Sequence, residues 1–211
     1  MERPVEREMN IFTDVWTKPR ATTASFIEHG TMKMVRLLII MSGALAVWTE
    51  LLSEAAKEGW AENIVLIVFI GMVVSPIISL FSWWVSAWIT YGVGKMLGGS
   101  GTVERMKYAL AMPQVVAIVM NVWTLIFFAS YGYGLFVPEI AEAQGASPFG
   151  LLLYGLVAFT LGIWSVVISV AAIAEAHRFS IVRAVLTSIL PGILIAVVIL
   201  ALAFGIGIMF V

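Results

Sequence analysis

Ile64-Val-Leu-Ile-Val-Phe-Ile-Gly-Met-Val-Val-Ser75-Pro76-Ile-Ile-Ser79-Leu-Phe-Ser82-Trp83-Trp84-Val-Ser86-Ala-Trp88-Ile-Thr90 lies inside a run of 32 residues, 63–94, without a charged side chain. A membrane-spanning helix needs about 20 apolar residues, because the hydrocarbon core is about 30 Å thick and a helix rises about 1.5 Å per residue. The run exceeds that length and reads as a transmembrane helix. Charge-free runs also cover 37–49, 108–138, 143–174 and 184–211. The first of these is short, and Met34, Val35, Leu51 and Leu52 extend it if Arg36 and Glu50 snorkel to the interfaces. The chain is 61% hydrophobic and 12% charged, with a mean hydropathy of +1.02. A soluble domain carries about 25% charged residues. The predicted fold is all-α, a polytopic membrane protein with five transmembrane helices at about 34–53, 63–94, 106–131, 148–174 and 182–211. A cytosolic or interfacial segment, 1–33, precedes them.

The basic residues set an orientation. Arg3, Arg7, Lys18, Arg20, Lys33 and Arg36 precede the first span; Lys95, Arg105 and Lys107 follow the second; Arg178 and Arg183 follow the fourth. The connection after the first span holds Lys57 among Glu50, Glu54, Glu58 and Glu62, and the one after the third holds Glu139 and Glu142 with no base. Five spans therefore place eleven basic residues on one side and one on the other. By the positive-inside rule the N-terminus is cytoplasmic and the C-terminus outside. The first 33 residues are charge-rich without an apolar core, so they do not read as a signal peptide. The chain has no cysteine, which excludes disulfides, thiolate catalysis and cysteine zinc sites.

Two basic connections resemble each other. Thr102-Val-Glu-Arg-Met-Lys-Tyr-Ala-Leu-Ala-Met-Pro113 aligns without a gap to Ser180-Ile-Val-Arg-Ala-Val-Leu-Thr-Ser-Ile-Leu-Pro191. In each, a hydroxyl residue can cap a helix, an arginine follows in the first turn, and a proline sits about three turns in. Helices 2–3 and 4–5 would then form a parallel repeat about an axis along the membrane normal. The arginines suit a docking surface or contact with anionic lipid; helix capping with lipid-anchoring arginine is the plainer reading. Gly71, Ser75, Ser79, Ser82, Ser86 and Thr90 form a small-residue seam along the second span, suited to close helix packing and alternatively to a polar conduit. Trp83, Trp84 and Trp88 read as lipid-facing or interfacial anchors. Gln114 and Asn121 are seven apart on one helix face, placed to bond across helices. At the N-terminus, Ile11, Phe12, Val15 and Trp16 are at helical spacing, and Pro19 opens a helix that runs to His29 and stops at Gly30. This segment could lie on the inner leaflet or remain a partly ordered tail.

Catalytic chemistry is hard to place. Gly92-Val-Gly94-Lys95-Met-Leu-Gly98-Gly99-Ser100-Gly101-Thr102 lacks the spacing and the strand of a phosphate loop. His29 and His177 are the only histidines, and His177, beside Glu175 and Arg178, reads as a solvated interfacial side chain. No His-Glu-x-x-His arrangement, intramembrane aspartate pair or Ser–His constellation occurs. Away from the span ends, no charged residue lies within a span, which counts against ion-coupled transport. The expectation is a chain that is not an enzyme and has no catalytic residue, metal or cofactor.

Trp16-Thr-Lys-Pro19, Leu97-Gly-Gly-Ser-Gly-Thr102 leading to Pro113, and Trp164 followed by His177-Arg-Phe-Ser180 through Arg183-Ala184 to Pro191 give the chain a likeness to a known family. In their order and spacing they resemble the Yip (Ypt/Rab-interacting protein) family of five-span membrane proteins, over nearly the whole chain. The resemblance implies a non-enzymatic protein. Eukaryotic relatives are associated with vesicle traffic and Rab-type GTPases, usually through a longer cytosolic N-terminal region, so the short segment here argues against a GTPase partner. Prokaryotic relatives look like accessory proteins, some associated with exporters of the ATP-binding-cassette type, and the chain looks like that type.

The leading expectation is an accessory or assembly protein in the cytoplasmic membrane of a prokaryote. It would dock on another integral membrane protein or exporter complex through a cytoplasmic surface around Pro19, Arg105, Lys107, Arg178 and Arg183. The alternatives are a small transporter or channel and a membrane-shaping or vesicle-trafficking factor. Nothing in the sequence suggests nucleic acid as a partner.

Overall fold

A computed structural model describes residues 9–58 and 64–209. Arg3, Arg7, Glu62 and Val211, which entered the topology count, lie outside the described residues. Among the described residues the chain is helical, with no strand. The helices are α1 (Pro19–His29), α2 (Met32–Glu58), α3 (Ile64–Met96), α4 (Val103–Ala109), α5 (Met112–Tyr131), α6 (Pro138–Ala143), α7 (Pro148–His177) and α8 (Ile181–Met209). Four segments are long and apolar enough to cross a membrane: Met32–Ala55, Phe69–Met96, Val103–Leu135 and Pro148–His177. In α3, Phe69, Ile77, Phe81, Trp84 and Trp88 are exposed, as are Phe149, Leu152, Leu156 and Phe159 in α7. An apolar surface of that extent is stable only against lipid or another protein.

Helix α2 packs on α3 along one side and on α5 along another. Small residues permit the first contact: a Cβ on Gly43 would overlap Ser79, and one on Gly71 would come within 2.8 Å of Val47 and Leu51. Polar side chains join α2 to α5, with Ser42 Oγ 2.7 Å from Gln114 Oε1 and Thr49 Oγ1 2.8 Å from Asn121 Oδ1. Helix α7 packs on α1, α4, α5 and α8.

The N-terminal segment is built into the protein. A 3-10 turn, Asp14–Trp16, and α1 bury Ile11, Val15 and Phe26 in the same core as Met106, Met112, Ile173 and Phe179. Phe26 meets Tyr108 edge-on at 5.5 Å. The apolar spacing that suggested either a lipid-facing wedge or a loose tail is satisfied by α7 and α4 instead, leaving Phe12 exposed. Helix α1 starts at Pro19 and ends at His29, as its start and stop residues imply.

The two prolines at matching positions, Pro113 and Pro191, behave differently. At Pro113 the chain breaks: α4 ends at Ala109, and Pro113 sits in the first turn of α5. At Pro191 the helix α8 runs on without interruption.

Candidate functional site

The basic end of the bundle carries the densest polar structure, and it begins with two helix stops. Helix α3 stops where Gly98 takes φ +85° and the Gly99 amide donates to Gly94 O at 2.8 Å. Helix α7 stops the same way: Arg178 is left-handed at φ 55°, ψ 43°, and the Phe179 amide donates to Ala174 O at 3.1 Å. A bond spanning five residues around a left-handed position closes a helix by occupying one of its last free carbonyls. The Ser100 amide then donates to His177 O at 3.0 Å, locking one stop to the other.

His177 lies between them. The sequence reading made it a solvated interfacial residue; the structure buries it completely, at 0% exposure. The glycines account for the difference. A Cβ on Gly94 or Gly99 would overlap the imidazole, and one on Gly101 would overlap Ala176 O and reach the ring. Tyr91 stacks on the ring at 6.3 Å and Phe179 tilts against it at 5.0 Å. Neither ring nitrogen makes a well-formed hydrogen bond, though the Thr90 backbone approaches the ring. The glycines that invited a phosphate-loop reading are therefore the walls of a histidine slot.

Around the slot, charges from α1 and α4 converge on Glu175 of α7. Arg20 Nε of α1 donates to its Oε2 at 2.9 Å, and Arg105 Nη2 of α4 lies 3.8 Å from its Oε1. Arg105 also donates to the carbonyls of Ala176 (3.2 Å) and Glu175 (3.3 Å), so its guanidinium caps the C-terminus of α7. Thr102 caps α4, its hydroxyl accepting from the Arg105 amide at 3.2 Å. Lys107 pairs with Glu104 at 3.1 Å, and its carbonyl accepts from Trp83 Nε1 at 3.1 Å. Trp83 is thus half-buried and hydrogen-bonded, while Trp84 and Trp88 remain exposed. Among the described residues no group of three or more His, Asp or Glu converges as a metal site would require.

The profile of the Yip1 domain matches residues 13–203. The chain belongs to the Yip1 domain family. No curated protein and no solved structure matches it at a significant level.

Within this Yip1 domain the residues singled out from the sequence separate into two groups. Arg105 and Lys107 are occupied by internal partners, and Pro19 opens α1 half-buried. Arg178 and Arg183 are exposed, with Lys18, Lys33, Arg36 and Lys95 at the same end, and none of the six has a carboxylate partner among the described residues. Along the seam, Ser75 and Thr90 are buried, Gly71 and Ser79 meet α2, and Ser82 and Ser86 stay exposed. Thr102 caps by its side chain, whereas Ser180 precedes α8 and its carbonyl accepts from the Ala184 amide at 3.1 Å. Arg20, Glu175 and the slot glycines were not anticipated as a unit. Glu175 had one usable signal: it is the first charge after the uncharged run 143–174, and it is an acid at the basic end.

Proposed function

We propose that this Yip1 domain protein is a five-span, non-enzymatic assembly factor that docks on another integral membrane complex through its basic end. The observation that carries the reading is the division of its cations. Arg20, Arg105 and Lys107 are used to build a stiff end-plate, and Arg178, Arg183, Lys18, Lys33 and Arg36 are left exposed upon it without acidic partners among the described residues. Exposed cations without internal carboxylate partners complement an acidic partner surface. The basic end is cytoplasmic by the positive-inside rule. Helix α8, at 29 residues, is long enough to supply the fifth span. The matching stops of α3 and α7 support a parallel repeat of the two helical hairpins.

The partner class that the family resemblance favours is an exporter of the ATP-binding-cassette type in the cytoplasmic membrane of a prokaryote. A Rab-type GTPase fits less well, because Ile11–His29 is folded back on α7 and α4. Purification from native membranes in mild detergent should recover a stoichiometric membrane complex, and Arg178→Glu with Arg183→Glu should release it while leaving the fold intact. Retention of the complex by the double variant, or recovery of the protein alone, overturns the proposal. Loss of binding to anionic vesicles with the complex retained would assign the two arginines to lipid.

A further inference from the structure

Helices α3 and α5 flank α2 without substantial contact with each other, and α4 closes the gap at the basic end. The space between them is a cleft of about 360 Å³. Its polar lining comes from Ser42, Ser79, Ser82, Ser86, Gln114 and Asn121; the rest is apolar, and among the described residues no charged side chain lines it. Ser86 lies nine residues from Lys95, roughly 13 Å of helix, so the cleft is at membrane depth. Ser82 and Ser86 are exposed, so the cleft is open at that depth.

The hydroxyls here differ from those on the neighbouring helices. Ser42, Thr49 and Thr124 each bond to a carbonyl one turn back. Ser79, Ser82 and Ser86 have no hydrogen-bond partner among the described residues. One turn further on the same face, the Ser75 hydroxyl is buried at 1% exposure and also unpartnered. Polar groups facing hydrocarbon without partners are unfavourable. Three free donors call for carbonyl or ether oxygens. Gln114 Oε1 and Asn121 Oδ1 each face one hydroxyl and keep a second lone pair for another proton.

We propose that the cleft binds a neutral glycerolipid of the diacylglycerol type. Its ester oxygens accept from Ser79, Ser82 and Ser86, its free hydroxyl donates to Gln114 or Asn121, and its acyl chains leave through the opening at Ser82 and Ser86. The absence of any lining cation disfavours a phosphate-bearing head group.

The test uses the full-length protein in nanodiscs and a diacylglycerol probe with a diazirine in one chain. Labelling should saturate, map to α2, α3 and α5, and be competed by dioleoylglycerol but not by phosphatidic acid of the same chains. The triple variant Ser79→Ala, Ser82→Ala, Ser86→Ala keeps helix propensity and should weaken labelling roughly tenfold or more, since each removes one hydrogen bond. Ser82→Leu should block the cleft outright. Ser165→Ala with Ser169→Ala on α7, outside the cleft, should leave labelling unchanged. Equal competition by phosphatidic acid, undiminished labelling of the triple variant, or crosslinks between copies at these residues would each overturn the assignment.

Discussion

Gly94 has no room for a side chain, because the imidazole of His177 occupies the place where its Cβ would be. Gly92, two residues earlier on the same helix, has open space around it. The two positions form a matched pair. Gly94→Ala forces the ring out of its slot and should cost about 1–3 kcal/mol, the range for overpacking a closed core. Gly92→Ala should be neutral or stabilising by up to about 1 kcal/mol, since alanine is the better helix former. Thermal melts of both variants in one detergent distinguish them, and a Gly94→Ala protein as stable as its parent would remove the slot from the account. The glycine cluster was visible in the sequence, but its purpose was not. The ring it encloses lies some 80 residues away and is brought there only by packing.

At the scale of elements, α4 shows how a short helix can govern a long one. Through Arg105 it supplies donors to carbonyls at the end of α7, a role served at other helix ends by the chain itself. Glu175 O keeps the Arg178 amide, but removing the side chain leaves the buried Ala176 carbonyl short of a donor, so Arg105→Ala should cost about 1–3 kcal/mol. Arg20 binds the same Glu175, but its side chain is 50% exposed. Arg20→Ala should therefore cost no more than about 1 kcal/mol, as for solvated pairs. Thermal stability, with hydrogen exchange at residues 172–177, gives the order; a larger loss for Arg20→Ala would contradict the capping role. The boundaries of α1 were legible because Pro19 and Gly30 are local signals. The division of the third apolar run into α4 and α5 was less so, because prolines at matching positions produce a break at Pro113 and an unbroken helix at Pro191.

For the whole molecule, the central question is which ends of the helices share a side of the membrane. The chain contains no cysteine, so a single introduced one reports without background. Cysteines replacing Lys33, Ser100 and Arg178 should react with an impermeant maleimide from one side, and one replacing Glu139 from the other. A cysteine at Met209, the last residue of α8, should react from the Glu139 side if five helices span. Reaction from the Arg178 side would mean that α8 does not cross.

Much of the architecture follows from the sequence alone. Whether a segment partitions into lipid depends on the summed hydropathy of its own residues, and charge placement at segment ends biases orientation; neither depends on distant partners. The four long apolar helices, the capping by Thr102 and the limits of α1 belong to this class. The burial of His177, the joining of Arg20 to Glu175 across 155 positions and the bonds from α2 to α5 across 72 were decided only by the tertiary structure. So was the sorting of one hydroxyl seam into packed and unpartnered members. Partners so far apart meet through the packing of whole helices, and hydropathy, being local and additive, is blind to which face of a helix meets which neighbour.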